Sequence, residues 1–432
     1  MKKLILIALT CSITFFVFGN GDGETRSTTV KLDISTSDRI SIQAKNTELI
    51  VETWDKNSME IEASIRYDGK MTDKMIEFLN QFEQRVKDKI SKGAGDVRVD
   101  TDLDLPNKIQ IGGKHVGINV SYGDENLKVL YRIKAPGTNS YTITNSYEDV
   151  RLIGNFDKVE FTQYSGELEA GNIKSAKLNM KYGSATIESI GNASMEIYEQ
   201  KLNSRNIGEL EINTKYSDLE LRKVGTMKAT SYESDIQIGS IRNLSGDFKY
   251  GEIKVNEKLE TAELTLYEMD IEAEEIEAIK LLNSKYSEIE AEKVGSIVFE
   301  QSYEDQTSIG TLGSFKSTNS KYGNHSIELL LGSLILNAYE DEVEIDRLGP
   351  SATEISIDGK YIDFSIGTGS VPFVLITKVK YGKVDYNESQ VDVKRYIKDN
   401  DQLEVEAHSK AKGTSPVKIS VKGYEVDVKV EY

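Results

Sequence analysis

Side chains able to do chemistry are sparse in this 432-residue chain. The three histidines, His115, His325 and His408, lie far apart and show neither metal-ligand spacing nor a Ser-His-Asp arrangement. Asp100, Asp102 and Asp104 alternate along one predicted strand face and could offer oxygen ligands to calcium. They lack the glycine and distal glutamate of an EF-hand loop, so a solvated strand face is the better reading. Arg222, Arg242 and Arg347 could serve polysaccharide chemistry if paired acids joined them, but nothing in the sequence gathers them into a cleft. Gly367-Thr368-Gly369 has neither the lysine nor the helix start of a phosphate loop. Cys11 is the only cysteine. No catalytic, cofactor-binding or metal-binding residue is assigned, no cofactor is expected, and the chain is expected not to be an enzyme.

The remaining chemistry is aromatic. Tyrosines recur at 147, 164, 182, 198, 216, 232, 250, 267, 286, 303, 322 and 339, at steps of 16 to 19 residues. Between them the pattern repeats. After Tyr216, Leu219 and Leu221 alternate with polar residues, Val224-Gly225 follows, and Met227, Ala229 and Ser231 alternate again. Period-two alternation places one side of each strand inside. Glycine permits the tight bend between strands. One such unit cannot bury its own apolar face; stacked units can. The fold class predicted is all-β: a parallel β-solenoid with about 17–18 residues per coil, right-handed by the usual rule for parallel crossovers. A coil this short predicts a flattened, two-sheet cross-section.

The tyrosines fall into two sets. Lys181-Tyr182-Gly183, Lys215-Tyr216-Ser217, Lys249-Tyr250-Gly251, Lys285-Tyr286-Ser287 and Lys321-Tyr322-Gly323 form one. Tyr147-Glu148-Asp149, Tyr232-Glu233, Tyr267-Glu268, Tyr303-Glu304-Asp305 and Tyr339-Glu340-Asp341 typify the other. A two-coil unit of about 35 residues is expected. Strand parity (Leu178, Met180, Tyr182) turns the lysine-preceded rings inward and leaves the second set free to point outward. Asn179, Asn213, Asn283 and Asn319 could bond one another in an amide ladder. The acids after the second set could align into a carboxylate column that binds cations weakly.

Around this core the chain divides into a signal peptide (1–19), N-terminal degenerate coils (20–140), the regular solenoid (141–350), and C-terminal degenerate coils with a cap (351–432). Lys2 and Lys3 precede an apolar run from Leu4 to Phe18, with Val17 and Gly19 suited to a cleavage site. Export to the periplasm, outer-membrane surface or extracellular space is expected, with membrane contact only through the signal peptide. Met75, Leu79, Phe82 and Val86 have helical spacing, which predicts a helical insertion over 72–90 that covers the N-terminal end of the column. The polar excursion 383–412 could cover the other end, and Val417–Val430 reads as the last strands. A net charge of −18 repels nucleic acid.

Tyr131–Pro136, Tyr141–Val150, Gln163–Ile173, Lys181-Tyr182-Gly183 and Glu52-Thr53-Trp54 resemble the exported bacterial "putative adhesin" family of unknown function, which is taken to adopt a β-helix. The resemblance covers most of the chain beyond residue 19 and implies fold and export, with no active-site residues to carry over. The function expected is a non-catalytic envelope or surface solenoid that binds or scaffolds, with a cell-surface glycan or protein as partner. A carbohydrate-active β-helix enzyme and a periplasmic partner in an envelope-sensing system are the alternatives.

Overall fold

A computed structural model describes residues 23–103, 109–110, 121–122, 126–413 and 415–432. Residues 1–19, where a signal peptide is expected, with Cys11, and also Asp104 and His115, lie outside the described residues. The chain forms two compact units, Met1–Glu209 and Leu210–Tyr432. Each is an all-β solenoid of stacked parallel coils.

In the first unit, Arg39–Lys45 and Glu48–Trp54 are the two sides of one coil. Arg39–Lys45 pairs in parallel with Ser140–Ser146 above and Asp96–Asp100 below. Glu48–Trp54 pairs in parallel with Val150–Ile153 on one edge and Leu127–Pro136 on the other. An early segment thus lies between strands that come 57 to 101 residues later. Beyond these, pairing turns antiparallel: Leu127–Pro136 with Ser58–Tyr67, and Ser58–Tyr67 with Glu24–Asp33. Helical residues fall in two short helices, Asp73–Asn80 and Phe82–Asp88. Thr72 caps the first by accepting from the Met75 N–H, which occupies a donor with no partner inside the helix. The second helix packs on Glu24–Asp33 and Ile90–Gly93, the outermost strands of the two sides, with Phe82 and Val86 buried. It therefore shields strand edges that would otherwise be open to pairing.

The second unit is more regular. Asp218–Tyr232 pairs in parallel with the following coil 17 residues on, from Asp218↔Asp235 to Tyr232↔Lys249. From Asp270↔Glu288 the offset is 18 residues, and an irregularity widens it to 19 from Ser314↔Ser333 to Ser317↔Leu336. Hydrogen bonding continues through the corners, so Asp235–Lys285 is one unbroken run of 51 residues. The interior is a column of alternating side chains: Ile236, Ile238, Ile241, Leu244 and Phe248 in one coil, Ile289, Ala291, Val294, Ile297 and Phe299 in another, all at most 4% exposed.

Val417–Glu431 forms the last strand in sequence but not in space. It lies between Glu354–Gly367 and Phe373–Lys380, in parallel with both. The excursion expected over 383–412 holds an antiparallel hairpin, Val391–Asp399 with Gln402–Ser409. Gln402–Ser409 in turn pairs antiparallel with Phe373–Lys380, closing that edge.

Phe299 stacks on Phe315 at 5.6 Å inside this column and is fully buried. Phe299→Ala should destabilise the second unit by about 3–5 kcal/mol, read as a shift of the urea midpoint; an unshifted midpoint would show the column to be loosely packed.

Candidate functional site

The corners that carry the tyrosines follow one rule: a two-residue bridge whose second member has positive φ. In eight corners that member is the tyrosine: Tyr147 (φ 75°) and Tyr182 (59°) in the first unit; Tyr216 (54°), Tyr250 (58°), Tyr286 (56°), Tyr322 (59°), Tyr361 (59°) and Tyr381 (59°) in the second. In the others the tyrosine comes first and its successor turns: Ser165 and Glu199, then Glu233, Glu268, Glu304, Glu340 and Glu425. The left-handed conformation costs a non-glycine residue about 1–2 kcal/mol.

This conformation reverses the strand parity that turned the lysine-preceded rings inward. Four of those rings are exposed: Tyr182 41%, Tyr216 43%, Tyr286 43% and Tyr322 42%. The expectation of an inward set is corrected: both sets lie on the outside. Tyr147 also changes set, because it occupies the left-handed position itself. The uneven tyrosine spacing comes from the ring alternating between the two bridge positions. From Tyr147 to Glu340 the left-handed residues are evenly spaced within each unit: 17 separate Glu233 from Tyr250, and 18 separate Tyr250 from Glu268.

Staggering fixes how neighbouring rings meet. In the first unit Tyr147, Tyr164, Tyr182 and Tyr198 contact in turn at 5.1–5.6 Å, with ring planes at 67–76°. In the second unit ten contacts run from Tyr216 to Tyr381, with centroids 5.3–5.8 Å apart and planes at 67–80°. Edge-to-face contacts are worth about 0.5–1.5 kcal/mol each, enough to offset much of the backbone cost at each corner. The last rings follow spatial order, Tyr361–Tyr424–Tyr381, because Val417–Glu431 is inserted there. The alternation therefore belongs to the stack and not to the sequence.

Lysine and glutamate share the strip with the rings. Tyr232 faces Lys249, and Tyr303 faces Lys285 on one side and Lys321 on the other. Like charges are thus separated by a tyrosine, which avoids the repulsion of like charges on directly opposite residues. The neighbouring carboxylates of Glu233, Glu268 and Glu304, through hydrogen bonding and charge, hold the phenols of Tyr232, Tyr267 and Tyr303 above their usual pKa.

Behind the strip the wall is polar. In Tyr303-Glu304-Asp305 and Tyr339-Glu340-Asp341 the two acids go to opposite sides: the glutamates stay outside, while Asp305 and Asp341 are at most 2% exposed. The expected single carboxylate column therefore does not form. Asp305 accepts from the Ser302 hydroxyl (2.6 Å) and the Ser287 N–H (3.0 Å). Burial raises its pKa against those bonds. His325, wholly buried, places Nδ1 3.0 Å from Thr307 Oγ1 and Nε2 3.7 Å from Asp341 Oδ2. Gly323 makes room: a Cβ there would lie 2.8 Å from His325 Nε2 and 3.0 Å from Ser320 Oγ. This cluster ties coils together from within and has no route to solvent for a substrate.

The other expected residues do not converge. Asp100 and Asp102 pair with Lys89 and Lys45. His408 lies 3.2 Å from Glu406. Arg222, Arg242 and Arg347 are exposed on separate coils. Thr368 is buried and donates to the Glu431 carbonyl. Asn179 donates to Glu196 instead of another asparagine, because its expected partners stand two coils apart. A shallow groove of about 640 Å³ on the second unit is lined by Glu272, Glu274, Glu290, Glu292, Glu328 and Lys254, among others, with Lys254 paired to Glu272 at 2.5 Å. Among the described residues no cluster of three or more His, Cys, Asp or Glu side chains could hold a metal, and no helix is long and apolar enough to cross a membrane.

No family model matches the chain, and no curated protein does. Among solved structures it is similar to a protein of Parabacteroides distasonis named a "putative lipid binding protein". Identity is 14%, over 69% of this chain and 98% of that one, with a TM-score of 0.25. It is also similar to a "putative cell adhesion protein" of Clostridium sporogenes, with 8% identity over 95% of this chain and 99% of that one, and a TM-score of 0.19.

Because burial raises the Asp305 pKa, folding is favoured while that carboxyl is protonated, and the advantage is lost as pH rises from the unfolded value near 4 through the higher folded one. Asp305→Asn should remove this component, so the stability of wild type relative to the variant should fall with rising pH in parallel urea titrations; a pH-independent difference would contradict the assignment. Gly323→Ala should cost about 1–3 kcal/mol by crowding His325 and Ser320, read from the same curves.

Proposed function

We propose that this protein is a non-catalytic, exported β-solenoid of the cell envelope or surface that binds or scaffolds through its tyrosine strip, in the manner of an adhesin. The observation that carries this reading is the strip itself: solvent-reaching rings on successive coils, interleaved with lysine and glutamate. Tyrosine offers apolar area and a polar tip at low entropic cost, which suits recognition of a cell-surface glycan or protein. The acidic composition argues against nucleic acid as a partner. The N-terminal apolar run supports export.

A second reading, a carbohydrate-active enzyme, rests on the groove, where Glu272 and Glu290 are directly opposite on adjacent coils. Paired carboxylates at close spacing are what glycoside hydrolysis uses. A periplasmic partner in envelope sensing would use the strip in the same way as an adhesin.

Glycan-array and cell-surface binding paired with a reducing-end release assay separates these readings. Binding without sugar release is expected. The triple variant Tyr216→Ser, Tyr250→Ser, Tyr286→Ser should weaken binding by about tenfold or more while circular dichroism keeps its β signature. Release of reducing ends that disappears in Glu290→Gln would sink the non-enzymatic reading.

A further inference from the structure

Neighbouring rings of the strip touch, reach solvent and sit on successive coils. In the second unit Tyr232–Tyr250 and Tyr250–Tyr267 are each 5.3 Å apart, and Tyr286–Tyr303 is 5.5 Å apart. The corners that hold them are fixed by hydrogen bonds from one coil to the next, such as Glu233 N–H to the Lys249 carbonyl at 2.9 Å and Tyr286 N–H to the Tyr303 carbonyl at 2.9 Å. Oxidation of a phenol by one electron requires loss of its proton. At Tyr232, Tyr267 and Tyr303 the next residue is a glutamate, a carboxylate close in sequence that can take up that proton. Each of these three tyrosines touches a lysine-preceded partner on both sides.

We propose that the tyrosine strip is a site of oxidative modification, at which a haem peroxidase with hydrogen peroxide joins neighbouring coils through dityrosine bonds. Each of two touching phenols loses one electron and one proton. The two phenoxyl radicals couple through ring carbons ortho to oxygen, and the product tautomerises back to two phenols. One hydrogen peroxide takes up the two electrons and two protons and leaves as two waters. The new carbon–carbon bond closes a loop of one coil, which limits the freedom of the unfolded chain as any short covalent loop does. Linkage is expected within one chain, because each ring's nearest phenol is its neighbour on the strip and not another molecule.

The test treats the full chain with a haem peroxidase and peroxide, follows dityrosine fluorescence, and maps linked peptides by mass spectrometry. Peptides joining Tyr232 to Tyr250 and Tyr250 to Tyr267 are expected, at a yield per chain that stays constant over a tenfold dilution. Tyr250→Phe keeps the ring but removes the phenol. It should abolish both of those links and leave Tyr286–Tyr303 intact. Absence of dityrosine would overturn the proposal. So would a yield per chain that falls with dilution, or links that favour Tyr396, an exposed tyrosine away from the strip, over touching neighbours.

Discussion

Everything on the outer wall of this protein depends on one left-handed residue per tyrosine corner. An L-residue with positive φ is disfavoured, yet tyrosine or glutamate, not glycine, fills most of these positions. The conformation breaks strand parity within two residues, so the chain can pass from Thr214, fully buried, to the exposed Tyr216 and back to Ser217, 3% exposed. Continuous pairing holds the strained residue in place, since Tyr216 N–H still donates to Tyr232 in the next coil at 3.1 Å. The strain is thus spread through a cooperative stack.

Alternation of the ring between the two bridge positions solves two problems together. If every ring held the same position, adjacent rings would stack at the strand spacing of about 4.8 Å, face to face, which the ring quadrupoles disfavour. Staggering gives edge-to-face contacts instead. It also puts a tyrosine between successive lysines and between successive glutamates. The inner side of the same corners is then left with hydroxyls, Asp305, Asp341 and His325, whose bonds link one coil to the next.

The solenoid was legible because its signal repeats: alternation of period two, glycine at bends and a tyrosine per coil. The direction of the rings was not. Parity arguments assume extended backbone throughout, and nothing in Lys181-Tyr182-Gly183 declares that the tyrosine, and not the glycine, takes the left-handed position. The clue was present in the uneven tyrosine spacing, which becomes even once the residue after each second-set tyrosine is counted. Strand insertion was equally hidden, because Val417–Glu431 has the same alternation whether it lies at the end of the stack or one place inside it. The split of Glu304 from Asp305 follows from the corner rule and could have been read only with that rule in hand. His325 gave no sequence signal beyond its parity with Ile327, and its burial reflects the polar corner that surrounds it.

The outward display of both tyrosine sets is the central claim, and tyrosine acetylation of the folded protein followed by peptide mass spectrometry tests it most directly. Tyr182, Tyr216, Tyr286 and Tyr322 should be modified readily, alongside Tyr164, while Tyr131 and Tyr141, both fully buried, stay protected until the chain unfolds. Protection of the lysine-preceded tyrosines to the level of Tyr131 would contradict the account.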